Sequence, residues 1–265
     1  MSANRLKLNA DKTELMWAGT KYIVASFLHD RDLTLTIGTH TVTVADAVRV
    51  LGVLFTPALA LERHATSDSA NCFYQLRQLR HVRRSLDRDS ATMLVQTFVT
   101  SRIDYGNSLF ANAQKMWTNK LPRVENAAAR VIGGTRKFDR GLTRFLHHDL
   151  HWLDVPQRIT FKLCLLVFKC LHGFAPQYFA ANFCRAVCIG CRRHRAPQSA
   201  LRHSRTISLN CLRYDMKNCG RRAFSYAGPH AWNSLPEHLR QTTSIDLIKR
   251  SLKTFLFGQI SRPAH

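Results

Sequence analysis

The pattern of apolar residues predicts an α+β chain: a small β portion, then a mainly α-helical bundle, then a C-terminal tail. Three observations carry this. Apolar and polar residues alternate between Asp32 and Val44, through Leu33, Leu35, Ile37, Val42 and Val44. From about residue 62 the period lengthens to that of a helix, and it stays there for more than a hundred residues. Pro and Gly fall between the periodic stretches, where they punctuate rather than interrupt.

In chain order, Leu15 to Trp17 and Tyr22 to Val24 are short apolar runs of strand character. Gly38-Thr39-His40 divides the alternating segment and predicts a hairpin turn. Val50 to Phe55 is apolar on both faces, as in a buried strand, and Pro57 ends it. The first predicted helix places Phe73, Leu76, Leu79 and Val82 on one stripe. Asp87 or Asp89 caps the next helix, whose stripe is Leu94, Val95, Phe98 and Val99. A third runs from Pro122 through Val124, Ala128, Val131 and Ile132 to Gly133-Gly134. Asp154 and Pro156 open a fourth that ends at Gly173. After Pro176 the helical signal fades into a basic, partly ordered stretch, with one strand expected near Arg205 to Leu209. Phe224 to Trp232 restores order, and Ser244 starts a last amphipathic helix through Ile245, Leu247, Ile248, Leu252, Phe255 and Leu256.

Charge narrows the function. There are 39 Lys and Arg against 17 Asp and Glu, a formal +22, and Arg outnumbers Lys. A planar guanidinium suits phosphate oxygens, so the balance points to nucleic acid over a membrane surface, for which there is neither a lipidation motif nor an amphipathic anchor. The most apolar run, Ile159 to Leu171, is short and carries Lys162 and Lys169, so a membrane span is not expected. The N-terminus lacks an apolar signal region. The eight cysteines accordingly read as reduced thiols of an intracellular protein, with the nucleus a compatible location. No glycine loop opens a helix, because Gly133-Gly134 follows one, so a small-molecule phosphate ligand is not expected. His147, His148 and His151 lack the context of a nucleophilic enzyme.

Several phrases, in order, resemble one family. Residues 4 to 14 read Asn4-Arg5-Leu6-Lys7-Leu8-Asn9-Ala10-Asp11-Lys12-Thr13-Glu14, and residues 48 to 55 read Val48-Arg49-Val50-Leu51-Gly52-Val53-Leu54-Phe55. Further on come Phe98-Val99-Thr100-Ser101-Arg102-Ile103-Asp104-Tyr105, Val124-Glu125-Asn126-Ala127-Ala128-Ala129-Arg130 and Leu150-His151-Trp152-Leu153-Asp154-Val155. Arg222-Ala223-Phe224 and Pro229-His230-Ala231-Trp232-Asn233-Ser234-Leu235-Pro236 complete the set. Together they resemble the C-terminal part of reverse transcriptases of non-LTR (LINE-type, jockey-like) retrotransposons, over nearly the whole chain, with residues 184 to 200 the least similar. The resemblance implies the trailing edge of a polymerase palm at 1–60, a helical thumb-like bundle at 61–183, and a basic loop region with a helical tail at 184–265. It also implies that the palm's missing strands would complete the small sheet, and that the opening blocks lie downstream of the catalytic aspartates.

What the resemblance implies residue by residue is limited. Lys12 matches a lysine that can protonate the leaving pyrophosphate, although without aspartates beside it an exposed turn lysine is the simpler reading. Gly52 matches a primer-gripping glycine, where a missing side chain lets backbone approach the strand. Nucleotidyl transfer needs two metal ions held by aspartates, Mg²⁺ in the intact polymerase. Here Asp30, Asp32, Asp87 and Asp89 read as turn and capping residues, so no cofactor and no polymerase activity are expected of this chain alone. Arg77, Arg80 and Arg84 recur at i, i+3 and i+7, with Arg83 and Arg88 nearby. This is the expected surface for an RNA or DNA template–primer backbone.

Two other classes stay open. One is a domesticated nucleic-acid-binding protein without enzymatic activity. The other is a nonfunctional remnant, favoured by Met1 falling inside a family motif and expected to expose apolar surface. Finally, Cys184, Cys188, Cys191 and His194 are spaced loosely enough to complete a tetrahedral zinc site, but the spacing is not that of a knuckle, and chance clustering in an Arg-rich loop is the reading carried forward. Native mass spectrometry checks it: the purified chain is expected to carry no zinc, and stoichiometric metal lost in Cys188→Ser would establish a site.

Overall fold

The computed structural model describes residues 9–19, 34–113, 119–188, 209 and 220–260, with the backbone alone described for Ala10, Asn182 and 184–188. The chain divides into two compact units, Met1–Asp68 and Ser69–His265. The fold is α+β, mostly helical with two small antiparallel sheets.

The first unit holds both sheets. Strands β1 (Thr34–Ile37) and β2 (His40–Thr43) pair from Thr34↔Thr43 to Ile37↔His40. The expected turn is there, with Gly38 at φ 64 supplying the left-handed first position that a two-residue hairpin requires. Strands β3 (Val48–Val50) and β4 (Val53–Phe55) form the second hairpin, with Val48 opposite Phe55. Here the expectation of one buried strand over Val50 to Phe55 is wrong. Leu51 (φ 48) and Gly52 (φ 84) both take the left-handed conformation, as in a type I′ turn, and Leu51 is 85% exposed at the tip. An apolar stretch conceals a two-residue turn when one of the turn residues is itself Leu. The two hairpins are separate sheets, and Leu15 adds a single parallel bridge to Val44. The apolar run Tyr22 to Val24 lies outside the described residues.

Helix α1 (Glu62–Val82) begins in the first unit and continues into the second. In the second unit its buried stripe is Cys72, Leu76 and Leu79, whereas the predicted members Phe73 and Val82 are exposed. The helical period is right, but the buried stripe is narrower than predicted, with Cys72 inside it and Phe73 and Val82 at its two edges. Helix α2 (Arg88–Val95) starts where Asp87 accepts a hydrogen bond from the Ser90 amide; the Ser90 hydroxyl first, and this amide second, hold the Asp87 carboxyl below its ordinary value. It runs on through a π-helical turn, Gln96–Thr100, into α3 (Ser101–Asp104). Val95 and Val99 are buried as predicted, while Phe98 is exposed. Helix α4 (Lys120–Gly133) ends at Gly134, left-handed at φ 64. A short α5 (Leu142–Arg144) leads into a second π-helical turn, Phe145–Asp149. One core joins these pieces through Leu76, Val95, Val99, Val124, Ile132 and Trp152.

Helix α6 (Val155–Leu171) opens with Pro156 in its first turn, although Asp154 makes no side-chain cap bond. It packs against α7 (Gln177–Cys188), α8 (Phe224–Asn233) and α10 (Ile245–Ile260). Helix α7 is where the sequence predicts fading order. Its apolar residues find partners in α8, with the Phe179 and Phe183 rings each 5.0 Å from the Phe224 ring. Close approach of α8 to α6 depends on Gly228, where a Cβ would lie 3.0 Å from both Val167 Cγ2 and Phe224 Cε2. A short α9 (Glu237–Arg240) precedes α10, which buries Ile248, Leu252 and Leu256. Of the strand expected near Arg205 to Leu209, only Leu209 is described. Its amide donates to Asn233 Oδ1 (2.9 Å), and its carbonyl accepts from Asn233 Nδ2 (2.6 Å). Because α6 joins bundle and tail helices, the second compact unit is not divided at residue 184.

Gly228→Ala is therefore expected to lower stability by about 1–3 kcal/mol through overpacking. Urea denaturation checks it; a change within about 0.3 kcal/mol would mean that α8 and α6 can separate freely.

Candidate nucleic-acid interface

The arginine stripe has an exposed part and an engaged part. At 100° per residue, Arg77 and Arg80 lie about 60° apart on α1 beside the buried Cys72–Leu76–Leu79 stripe, whereas Arg84 falls in the 3₁₀ turn Arg83–Ser85 that follows the helix. All three are exposed, without an ion pair or hydrogen bond among the described residues. Phe73, also exposed, lies on the same flank one turn before Arg77.

Arg83 is different. It sits in the 3₁₀ turn Arg83–Ser85 that follows α1, and its guanidinium turns inward. Nε donates to the Val131 carbonyl, Nη2 to the Ile132 carbonyl and Nη1 to the Leu86 carbonyl, each at 2.7 Å. Val131 and Ile132 belong to the last turn of α4, whose carbonyls have no helical partner. Arg83 thus caps a neighbouring helix and is removed from the nucleic-acid surface that its sequence position suggests. Arg88 is partly engaged: its guanidinium lies 5.0 Å from the Phe145 ring centre and its Nη2 is 3.5 Å from Asp149 Oδ2.

The two family-matched positions of the first unit are each in turns. Lys12 closes the 3₁₀ turn Ala10–Lys12 and is exposed. Gly52 occupies the left-handed turn position described above, and its carbonyl accepts from Arg49 Nη1 (3.1 Å). Its lack of a side chain is explained locally by backbone conformation.

The sequence gives no warning of an ionic cluster inside the second unit. Arg158, on the first turns of α6, donates from Nη1 to both oxygens of Asp104 (3.1 and 3.0 Å) and from Nε to the Leu153 carbonyl (2.8 Å). Its Nε also lies 3.1 Å from Glu125 Oε1, an electrostatic pair without hydrogen-bond geometry. The Arg158 guanidinium carbon is 5.6 Å from the Trp152 ring centre. Asp104, Glu125 and the Trp152-Leu153 pair come from three different family-like phrases, so those phrases meet at one place. Glu125 is 5% exposed, and burial pushes its carboxyl up to about 7 despite the opposing pull of Arg158.

The other candidates resolve simply. His147 faces the Trp152 carbonyl from Nδ1 (2.9 Å) and Asp154 from Nε2 (3.7 Å), while His151 is exposed at φ 51. Trp152 lies in the bundle core. Cys164 is buried and its thiol is pushed up to about 12, so it is not a nucleophile at neutral pH. Cys184 and Cys188 lie on the backbone of α7, but their side chains, with Cys191 and His194, are outside the described residues, as are Asp30 and Asp32. Among the described residues no three His, Cys, Asp or Glu side chains gather to hold a metal ion, and no helix is long and apolar enough to cross a membrane.

No protein-family model, curated protein or solved structure matches the chain.

Glu125 makes stability depend on pH. Its carboxyl titrates at 4.5 ordinarily and at about 7 in the fold, so the folded chain holds this proton more tightly in between. The contribution is complete below about pH 4.5 and is lost as pH rises through 7, on the order of 3 kcal/mol. Glu125→Gln is expected to flatten that slope in thermal melts; a variant that keeps the wild-type slope would assign it to other groups.

Proposed function

We propose that this chain is the C-terminal part of a non-LTR retrotransposon reverse transcriptase, and that its own role is to hold the backbone of a template–primer duplex. The order and spacing of the family-like phrases support the first half. The second half rests on one observation: Arg77 and Arg80 on one flank of α1, and Arg84 in the 3₁₀ turn after it, stand exposed and without a partner among the described residues, while Arg83 beside them is bound to carbonyls. Three neighbouring guanidiniums without carboxylate partners suit a row of phosphates, and they read shape and charge rather than base sequence. In the intact polymerase, Mg²⁺ held by palm aspartates would supply nucleotidyl transfer. We assign no step of that chemistry to the residues described here, and Lys12 and Gly52 enter only through the resemblance.

The second unit has a closed core of its own, which also supports a second reading: a nucleic-acid-binding protein without polymerase activity. Both readings expect binding by this chain and no primer extension by it.

With about six phosphates contacted, duplex affinity is expected to fall with salt at a log–log slope of about −5. Arg77→Ala, Arg80→Ala and Arg84→Ala together should make that slope shallower by about 2.7. The matching Arg→Lys set should restore it. Fluorescence anisotropy across a salt series decides the matter, and an unchanged slope in the alanine variant would place the interface elsewhere. Primer extension with Mg²⁺ by the purified chain would refute the non-catalytic assignment.

A further inference from the structure

The loop between α4 and α5 has features that the arginine flank of α1 does not explain. Gly134 (φ 64) and Gly141 (φ 86) turn the chain at its two ends. Between them Asp139 Oδ2 accepts from the Arg136 amide (2.7 Å), and the Asp139 amide donates to the Arg136 carbonyl (3.3 Å). That closed turn holds Phe138 at its tip, 86% exposed, with Lys137 Nζ 5.3 Å from its ring centre. Burying a Phe ring is worth roughly 1.5–3 kcal/mol, so a hydrogen-bonded turn that presents one to solvent forgoes a large stabilisation.

At the foot of the loop lies an open cleft of about 380 Å³, lined by Thr135, Asp139, Arg140, Arg144, Phe145 and Asp149. Its two carboxylates already have partners: Asp139 the Arg136 amide, and Asp149 the Arg88 guanidinium at 3.5 Å. Arg140 and Arg144 have none among the described residues. Phe145 is held from two sides. Arg88 lies over its ring, and a Cβ on Gly133 would come within 3.3 Å of it. The cleft therefore has a fixed aromatic wall and two guanidiniums with no bonded carboxylate among the described residues, beside an exposed ring.

We infer that this loop and cleft bind a single-stranded segment of nucleic acid, with one base stacked on Phe138 and the adjoining phosphates on Arg140 and Arg144. A duplex hides its base faces within the stack, so face-to-face stacking on an exposed ring favours an unpaired base. A membrane-inserting loop would need several apolar residues at the tip, but here the neighbours of Phe138 are Lys137 and Asp139, both charged. The inference deepens the proposed function and rests on it, because both take the partner to be nucleic acid. It adds a site that prefers single strands to the duplex-tracking flank of α1.

The test uses the full chain and two probes, a short oligothymidylate and a blunt duplex of the same length. Phe138→Ala is expected to weaken oligothymidylate binding roughly tenfold and to leave duplex binding within about twofold, while Phe138→Trp retains both. Arg140→Ala with Arg144→Ala should make the oligothymidylate salt slope shallower by about 1.4. Phe138 is exposed, so unchanged thermal melts are expected and would confirm that the fold is intact. Equal losses on both probes, or none on oligothymidylate, would overturn the site while leaving the α1 interface standing. Wild-type protein that binds neither probe would refute the proposed function itself. Sedimentation with vesicles containing phosphatidylserine, lost in Phe138→Ala while oligothymidylate binding persists, would assign the loop to a membrane surface instead.

Discussion

Arg158 is the constraint around which the second unit is organised. Its guanidinium is fixed by Asp104 at the end of α3 and by the Leu153 carbonyl just before α6, with the Glu125 carboxyl on α4 3.1 Å from its Nε. With a side chain 11% exposed, Arg158 cannot be left unpaired cheaply, even though its partner Asp104 is partly open to solvent. The geometry fixes where α3, α4 and α6 stand relative to one another. Everything that depends on those helices follows, including the seating of Trp152 in the bundle core and the direction in which α6 leaves to meet the tail. A buried ion cluster is seldom the most stabilising way to fill a core. What it does supply is direction, since apolar contacts slide whereas a fork of donors fits few positions.

The same chemistry divides the arginines of this basic chain into two kinds. Arg83 and Arg158 are structural, their donors directed at carbonyls and carboxylates inside the second unit. Arg77, Arg80, Arg84, Arg140 and Arg144 remain on the surface. A large formal charge therefore overstates what a phosphate backbone would meet, and the proposed site is defined by the arginines left over after the fold has taken its share.

Much of the architecture was legible in neighbouring residues. The helical period from residue 62, the Asp87 cap, the stop at Gly133-Gly134, the Pro156 start and the last amphipathic helix all rest on interactions within a turn or two, and all are found. So is the hairpin at Gly38. Misses occurred where a local pattern admits two readings. Val50 to Phe55 is as apolar as a buried strand, but Leu51 and Gly52 form its middle as a turn. Helix α7 carries a weak signal of its own and is held against the Phe224 ring of α8, over forty residues further on. Phe73 and Val82 obey the helical period yet fall just outside the arc that α1 buries.

The sequence by itself determined that this is a basic α+β chain, where its main helices begin and end, and which arginines are spaced to share a helix flank. Only the tertiary structure decided which of those arginines are available. Arg77 and Arg83 are indistinguishable by residue type and setting, but Arg83 meets carbonyls 48 and 49 positions away and Arg77 meets solvent. The Asp104–Arg158 pair likewise spans 54 positions. Helix caps and periods are interactions between near neighbours, so sequence order records them. The partner of a long, flexible cation is set by the packing of whole helices, which no local pattern contains.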